Sequence, residues 1–496
     1  MDYRYRRRIG AFLSTAALIA AMSPATAFAK TSNTDVDDST VTITGLNKDD
    51  TVTAYQVFDA DIDAANNLTY TAATGLPEAY NTPAKLSALT TDEQKKAAGD
   101  AYSQAFTKEN PATPANSHTA KGTANDSGEA TLTLDSGYWV VVVTSTSGET
   151  KVFQPTTIDA SPVAGADGKY SAKTLASQEV KNEPVNVNKG VGKEYKEKTD
   201  QYTVGQSVPF KVTTNVPNYP ADSKDATFTV NDRPTDGLKI QTNTIKVTVG
   251  TTTVWEDGKA TADGAKAFKD ETTTQTETGY TFDFAKEFVL AHPGEAVEIM
   301  YEATLTSAAF SRSATDVTGN TATVTFNPNP YSSSTVTPNK TTKVQTYGYV
   351  FPKTDKDDNA LEGAVFTLYD KDGKEVKYEN GEVIISTSTI VDGKAYVYFE
   401  DLGAGSYTAK ETTVPAGKQK AQDVTFTVNE NVATADNPAT TVTENNYLVS
   451  KSNVVDPDQP LLPVTGDTGT AVLTIGGVAL LGAACLVASR SLKRSK

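Results

Sequence analysis

Short runs in which valine, threonine, isoleucine and aromatic residues alternate with polar ones recur along this chain, and glycine, asparagine, aspartate and proline punctuate them. TVTITGL, EATLTL, FTVND and NTATVTF are examples. A period of two sends one set of side chains to a buried face and the other to water, so each run reads as a half-buried β-strand. YWVVVVTS, apolar almost throughout, reads as a strand covered on both faces. The 496 residues exceed one typical domain, and shifts in composition divide them into β units at 30–181, 182–340 and 341–456. The predicted fold class is all-β, a tandem of immunoglobulin-like β-sandwiches. Residues 77–110 break the pattern. SALTTDEQKKAAGDAYSQAF has helix-forming composition and a capping-box spacing from Thr91 to Gln94, which predicts a helical insertion in the first unit. NPNPYSSSTVTPNKTT closes the second unit as a boundary segment, and Asp372-Gly373 predicts a hairpin turn in the third.

The two ends have a different character. Arg4 to Arg8, an apolar run and the small residues ATAFA make residues 1–29 a secretory signal peptide, with cleavage between Ala29 and Lys30. From about Thr468 to Ser489 lie roughly 20 mostly apolar residues, enough for one C-terminal transmembrane helix. Arg490, Lys493, Arg494 and Lys496 follow it and would stay in the cytoplasm. Directly before the span, Leu462, Pro463, Val464, Thr465 and Gly466 resemble the LPxTG sorting signal of Gram-positive surface proteins. That resemblance implies cleavage by a sortase between Thr465 and Gly466 and transfer of the Thr465 carbonyl to an amine. Residues 457–496 are therefore read as linker, LPVTG signal, span and basic tail. The precursor is expected to be transiently membrane-bound, and the mature chain secreted and anchored to the cell wall.

Composition removes several function classes. A net charge of −16 argues against nucleic-acid binding. The one cysteine, Cys485, falls in the predicted span, so the exported part has neither disulfides nor a thiol nucleophile. His118 and His292 sit in no metal-ligand spacing and read as surface residues. The aspartate-rich turn at 355–359 lacks the EF-hand pattern and reads as a solvated turn. No nucleophile elbow or phosphate-cradling loop is present, and neither a metal nor a cofactor is expected.

Lysines on apolar strand faces are the feature that carries chemistry. In KNEPVNVNKGV, Val185, Val187 and Val191 share a face with Lys189. By the same period Asp232 lies with Phe228 and Val230, and Asn320 with Ala322, Val324 and Phe326. The second unit thus offers a lysine on its first strand, an asparagine on its last and an aspartate between them. In the third, Lys353 lies with Tyr349 and Phe351, Glu411 with Tyr407 and Ala409, and Asn453 with Val449 and Val455. Asn445 and Asn446 are further candidates to close that set. Burial drives a lysine toward the neutral amine and a carboxylate toward the neutral acid. A neutral amine can attack an asparagine side-chain carbonyl polarised by such an acid, expelling ammonia. The expected products are isopeptide bonds Lys189–Asn320 and Lys353–Asn453, with Asp232 and Glu411 as the catalytic acids.

YTAKETTVPAGK (407–418) is similar to the E-box of sortase-assembled pilins, whose glutamate matches Glu411. KTDKDDNALEGAVFTLYD (353–370) resembles the opening of a Cna B-type domain, whose bond-forming lysine matches Lys353. FTVNDRPTDGL and GNTATVTFNPNP are similar to the acid- and asparagine-bearing strands of the pilin middle domain. The first unit is only loosely similar: its LDSGYWVVVV parallels LGAGSYTAKE but has valine where the glutamate belongs, so no internal bond is expected there. The resemblance implies a major (backbone) pilin of a Gram-positive pilus, an enzyme substrate and not itself an enzyme. Its implied partners are a pilus sortase, identical subunits, minor pilins, a housekeeping sortase, peptidoglycan and host surface or matrix ligands for adhesion. It also implies an intersubunit lysine at the junction of the first and middle units. Lys181 holds that place, with Lys193, Lys196 and Lys198 as competitors, although Tyr-Pro and the upstream Trp of the fuller pilin motif are missing. The alternative reading is a singly wall-anchored adhesin that binds a host ligand through its N-terminal domain.

Overall fold

The computed structural model describes residues 36–107, 118–145, 150–221, 223, 225–311, 317–430 and 447–460. The expected signal peptide, LPVTG signal, span and basic tail, with Asn445 and Asn446, lie outside these residues. Among the described residues no helix is long and apolar enough to cross a membrane.

In the first unit the strand Thr51–Ile62 pairs with Leu68–Ala72, Thr119–Thr123 and Gly137–Thr144 in a five-stranded sheet. A second sheet sets Ser39–Thr44 between Ala130–Leu134 and Gln178–Glu179. Every residue of Gly137–Thr144 except the last is buried, because the sheet is covered on both faces. Trp139, Val141 and Val143 face the sandwich core. Tyr138 and Val140 face the helices Pro83–Ser87 and Asp92–Thr107, through Leu86, Ala98, Tyr102 and Phe106. The capping box forms: Gln94 N donates to Thr91 Oγ1 at 3.2 Å and Thr91 N donates to Gln94 Oε1 at 3.1 Å.

The second unit is a sandwich of a seven-stranded and a six-stranded sheet. The first sheet places Asn188–Val191 at its edge, then Ser207–Asn215 and Ala296–Leu305. In the second, Phe228–Pro234 pairs with Thr318–Phe326, which pairs in turn with Asn339–Val344. Thr318–Phe326 alternates strictly between buried and half-buried positions, as expected of a strand with one face in the core. It is the penultimate strand of the unit rather than the last, since Asn339–Val344 follows it.

In the third unit the strand Tyr347–Asp355 pairs antiparallel with Lys394–Leu402 and parallel with both Tyr447–Val449 and Val454–Asp456. A four-stranded sheet, centred on Val365–Asp370 and Gly405–Thr413, packs over it through Phe351, Phe366, Leu368 and Ala409. A buried latch joins this unit to the second. Tyr407 OH donates to Gly403 O at 2.9 Å, which fixes the Thr203 hydroxyl as donor to Tyr407 at 2.6 Å and acceptor from Gly403 N at 3.0 Å. Gly403 allows the approach, because a Cβ there would stand 2.7 Å from the Tyr202 backbone.

Replacing Thr203 by valine keeps the shape and leaves the Gly403 N–H buried without its acceptor. The third unit should lose about 1–3 kcal/mol, read as a lower urea midpoint for its transition. An unchanged midpoint would remove the latch from the stability of the chain.

Candidate functional site

In the second unit, Lys189 comes from the edge of one sheet, and Asp232 and Asn320 come from neighbouring strands of the other. Asp232 lies opposite Ala322 and Pro234 opposite Asn320 in register, which brings the two functional side chains to adjacent positions on one face. The side chains of Lys189 and Asp232 are both fully enclosed. Lys189 Nζ donates to Asp232 Oδ2, and at 2.8 Å to the hydroxyl of Tyr301. Tyr301 donates to Asp232 Oδ1 at 2.9 Å and accepts from Asn320 Nδ2 at 2.8 Å. Asn320 is 1 % exposed, and its Oδ1 accepts no hydrogen bond among the described residues. The expectation that the acid donates to the amide oxygen therefore does not describe this arrangement: the amide turns its nitrogen to Tyr301.

The walls are aromatic. Phe210 and Tyr301 stack with ring centroids 5.4 Å apart, and Lys189 Nζ lies 5.2 Å and 5.4 Å from the two centroids. Removal from water pushes the Lys189 ammonium below the ordinary lysine range, against the attraction of Asp232. Burial likewise raises the Asp232 carboxyl, with Lys189 and the hydrogen bonds from Tyr301 and Asn320 opposing. Both shifts favour transfer of one proton from the amine to the acid.

The third unit holds a second enclosed pair. Lys353 Nζ lies 2.5 Å from Asp456 Oδ1, with both side chains 0 % exposed, and 3.4 Å from Val454 O. Glu411 is buried beside them. It accepts from Ala421 N at 2.7 Å through Oε2, while Oε1 has no hydrogen-bond partner among the described residues. Burial, opposed by the Ala421 N–H and helped by the negative Asp456, raises the Glu411 carboxyl to about 7.

Asn453 is not in this cluster. It is exposed and donates through Nδ2 to Asp358 Oδ1 at 3.1 Å. The reason is parity. The chain leaves the sheet between Tyr447–Val449 and Val454–Asp456, with Ser450 N donating to Val350 O. On re-entry Val454 and Asp456 face inward, while Asn453 and Val455 face outward. Lys353–Asn453 is therefore corrected to Lys353 with Asp456.

Sequence reasoning missed Asp456 and Tyr301. VVDPD carries the first signal, an apolar residue and an aspartate two apart, but read as an acidic tether. The second lay in EAVEIMYEATL, where Val297, Ile299, Tyr301 and Ala303 alternate inward, and a buried phenol needs a partner.

Lys181 is exposed between Gln178–Glu179 and Asn182–Pro184, at the junction of the first and second units, and its carbonyl accepts from Gln154 N at 2.8 Å. Lys193, Lys196 and Lys198 are also exposed, with Lys196 paired to Glu194 at 2.5 Å. Asp355 accepts backbone N–H groups from Asp357 and Asn359 at 2.9 and 3.0 Å, which holds its carboxyl down at about 2. Among the described residues no cluster of histidine, cysteine or carboxylate side chains could hold a metal.

Residues 348–443 match the family described as SpaA, prealbumin-like fold domain. No curated protein matches the chain. Among solved structures, the T6 backbone pilin of serotype M6 Streptococcus pyogenes is 16% identical, with a TM-score of 0.65 over 86% of this chain and 100% of that one. The full-length major pilin SpaD of Corynebacterium diphtheriae is 16% identical, with a TM-score of 0.53 over 87% of this chain and all of that one. The major pilin SpaA of the same organism is also 16% identical, with a TM-score of 0.50 over 85% of this chain and 100% of its own. The chain is similar to all three as a tandem of β-sandwich domains.

The buried pair of the second unit can be tested without reference to its chemistry. Asp232→Ala leaves an ammonium enclosed without its carboxylate, whereas Asp232→Ala with Lys189→Met leaves no charge. The single variant should be less stable than the double by about 3–5 kcal/mol in urea unfolding at neutral pH. Equal stabilities would mean that Lys189 reaches water in the variant.

Proposed function

We propose that this chain is a structural subunit of a covalently polymerised surface pilus, stiffened inside by two lysine amide bonds and joined outside by sortase. The observation that carries the reading is the pair of enclosed lysine–carboxylate clusters, Lys189 with Asp232 beside the Asn320 amide and Lys353 with Asp456 beside Glu411. Similarity of fold to major and backbone pilins supports it.

In the second unit Lys189 gives one proton to Asp232, and neutral Nζ attacks Cγ of Asn320. The Cγ–Nδ2 bond breaks, ammonia departs and a secondary amide remains. In the third unit Lys353 gives one proton to Asp456, and neutral Nζ attacks Cγ of the Asp456 acid. Glu411 carries a proton from Nζ to the leaving hydroxyl, one Cγ–Oδ bond breaks with its electron pair on oxygen, and water departs to leave a secondary amide. Both bonds take the place of disulfides in a chain whose cysteine is confined to the predicted span. Closing the loop from Lys189 to Asn320 is worth roughly 4–5 kcal/mol on the entropy model for cross-links. Between subunits, a pilus sortase would carry the Thr465 acyl group of one copy to Lys181 of the next. A housekeeping sortase would attach the base to peptidoglycan, and minor pilins would complete the fibre that mediates adhesion at the cell surface.

Proteolytic peptide mapping by mass should find Lys189 joined to Asn320 with loss of ammonia, and Lys353 joined to Asp456 with loss of water. Asp456→Ala should abolish the second joined peptide, and Asn453→Ala should leave it in full yield. Linear peptides throughout the unaltered chain would overturn the internal chemistry.

With a pilus sortase the chain should form a covalent ladder on denaturing gels. Lys181→Ala should reduce the ladder at least about tenfold, with folding unchanged. A full ladder from that variant would move the junction to another lysine, and a permanently monomeric wild type would overturn the pilus reading.

A further inference from the structure

The phenol of Tyr301 does more in its cluster than fill space. Its one hydrogen goes to Asp232 Oδ1, and its two lone pairs receive Lys189 Nζ at 2.8 Å and Asn320 Nδ2 at 2.8 Å. A single oxygen therefore touches the acid, the attacking nitrogen and the nitrogen that must leave. Amide nitrogen is a poor leaving group until it is protonated, and it gains basicity only when attack has made its carbon tetrahedral. The attacking nitrogen becomes acidic at that same moment. The ring is fixed by stacking on Phe210 and by an edge contact with Tyr280 at 5.4 Å. Burial raises the Tyr301 hydroxyl well above the ordinary phenol range, so it enters the reaction carrying its proton.

We infer that Tyr301 is a catalytic residue of the Lys189–Asn320 ligation, a proton relay from the attacking Nζ to the departing Nδ2. This rests on the reading that the bond forms. Asp232 takes the first proton from the Lys189 ammonium. Neutral Nζ adds to Cγ of Asn320, and the carbonyl pair moves to Oδ1. Nζ then passes one proton to the Tyr301 oxygen while the Tyr301 hydrogen turns from Asp232 Oδ1 and passes to the lone pair that Nδ2 gains in the tetrahedral adduct. The Cγ–Nδ2 bond breaks with its electron pair on nitrogen, the carbonyl reforms and ammonia leaves. Tyr301 ends as it began, and Nζ keeps one hydrogen as an amide. Asp232 returns its proton to the ammonia or to solvent. No oxidant or cofactor enters. The third unit offers a contrast, since its acceptor is a carboxyl whose leaving oxygen departs as water and no phenol bridges that cluster in the contacts of Lys353, Asp456 and Glu411.

The test follows the joined peptide over time after cell-free synthesis of the full chain, with acid quenching before digestion. Lys353–Asp456 serves as an internal reference in the same molecule. Tyr301→Phe keeps the ring and removes the hydroxyl, and it should slow the Lys189–Asn320 bond about 10²-fold, in the range of general acid–base catalysis. The Lys353–Asp456 rate should stay unchanged. A trifluorinated tyrosine at position 301 alone keeps both size and hydroxyl but is more acidic, and it should change the rate and its pH profile, which packing alone would not do. Tyr301→Phe joining at the wild-type rate overturns the relay, as does a fluorinated variant with wild-type rate and profile. If Tyr301→Phe does not fold, shown by loss of protease resistance in the second unit, the fluorinated variant decides alone. A wild type that never joins Lys189 to Asn320 overturns the reading of the bond itself, and is distinguishable from failure of the relay.

Discussion

An ammonium and a carboxylate enclosed together, neither side chain exposed to solvent, constrain everything around them in the second unit. Their attraction is strong at low dielectric, but the loss of hydration is of comparable size. The pair is tolerable because its surroundings are built for it. Tyr301 hydrogen-bonds to both groups, Phe210 and Tyr301 present their ring faces to the amine, and two sheets hold the contributing strands at fixed spacing. Relief comes from moving one proton, which makes the amine nucleophilic and the acid neutral. The same burial that strains the cluster would thus prepare the reaction proposed for it.

The two clusters solve this problem differently. In the second unit, lysine, acid and amide meet through a shared phenol, and the carbonyl proposed to react belongs to a neutral group. In the third, the lysine meets a carboxylate directly, and a second carboxyl, Glu411, is held near neutrality by burial and by the charge beside it. In the reaction proposed for this cluster, Asp456 would combine two roles, counter-charge before reaction and acyl donor during it. Glu411 keeps one oxygen on the Ala421 N–H, and the other has no hydrogen-bond partner among the described residues, an arrangement suited to carrying a proton.

Period-two reasoning found Lys189, Asp232 and Asn320 because each sits in an unbroken strand, where the alternation extends from apolar neighbours to the polar residue. It failed at Asn453 because the strand is broken at Ser450–Asn453, and parity cannot be carried across a break whose hydrogen bonding is set by a distant strand. Tyr301 was invisible for another reason. A tyrosine among inward valine and isoleucine looks like packing, and only the position of its oxygen relative to three other strands reveals a role. The helical insertion was legible because the capping box is local, needing four residues and no tertiary partner. The latch at Thr203 and Tyr407 joins residues about 200 positions apart, and no local pattern announces such a contact.

In the assembly proposed above, the placement of Lys181 and Thr465 as attachment points would have a consequence for how the chain bears force. Asn182–Pro184 follows Lys181 directly and Val454–Asp456 comes shortly before residue 462. With both internal bonds closed, the shortest covalent route from Lys181 to Thr465 jumps from Lys189 to Asn320 and from Lys353 to Asp456. Only about 50 residues then lie on the line of tension, with a reach of ~3.5 Å each. The whole first unit hangs beside that line, as do most strands of the other two. In such a fibre the bypassed segments would be free to bend, open or vary in sequence without lengthening it, so load-bearing and surface display would fall to different parts of one polypeptide.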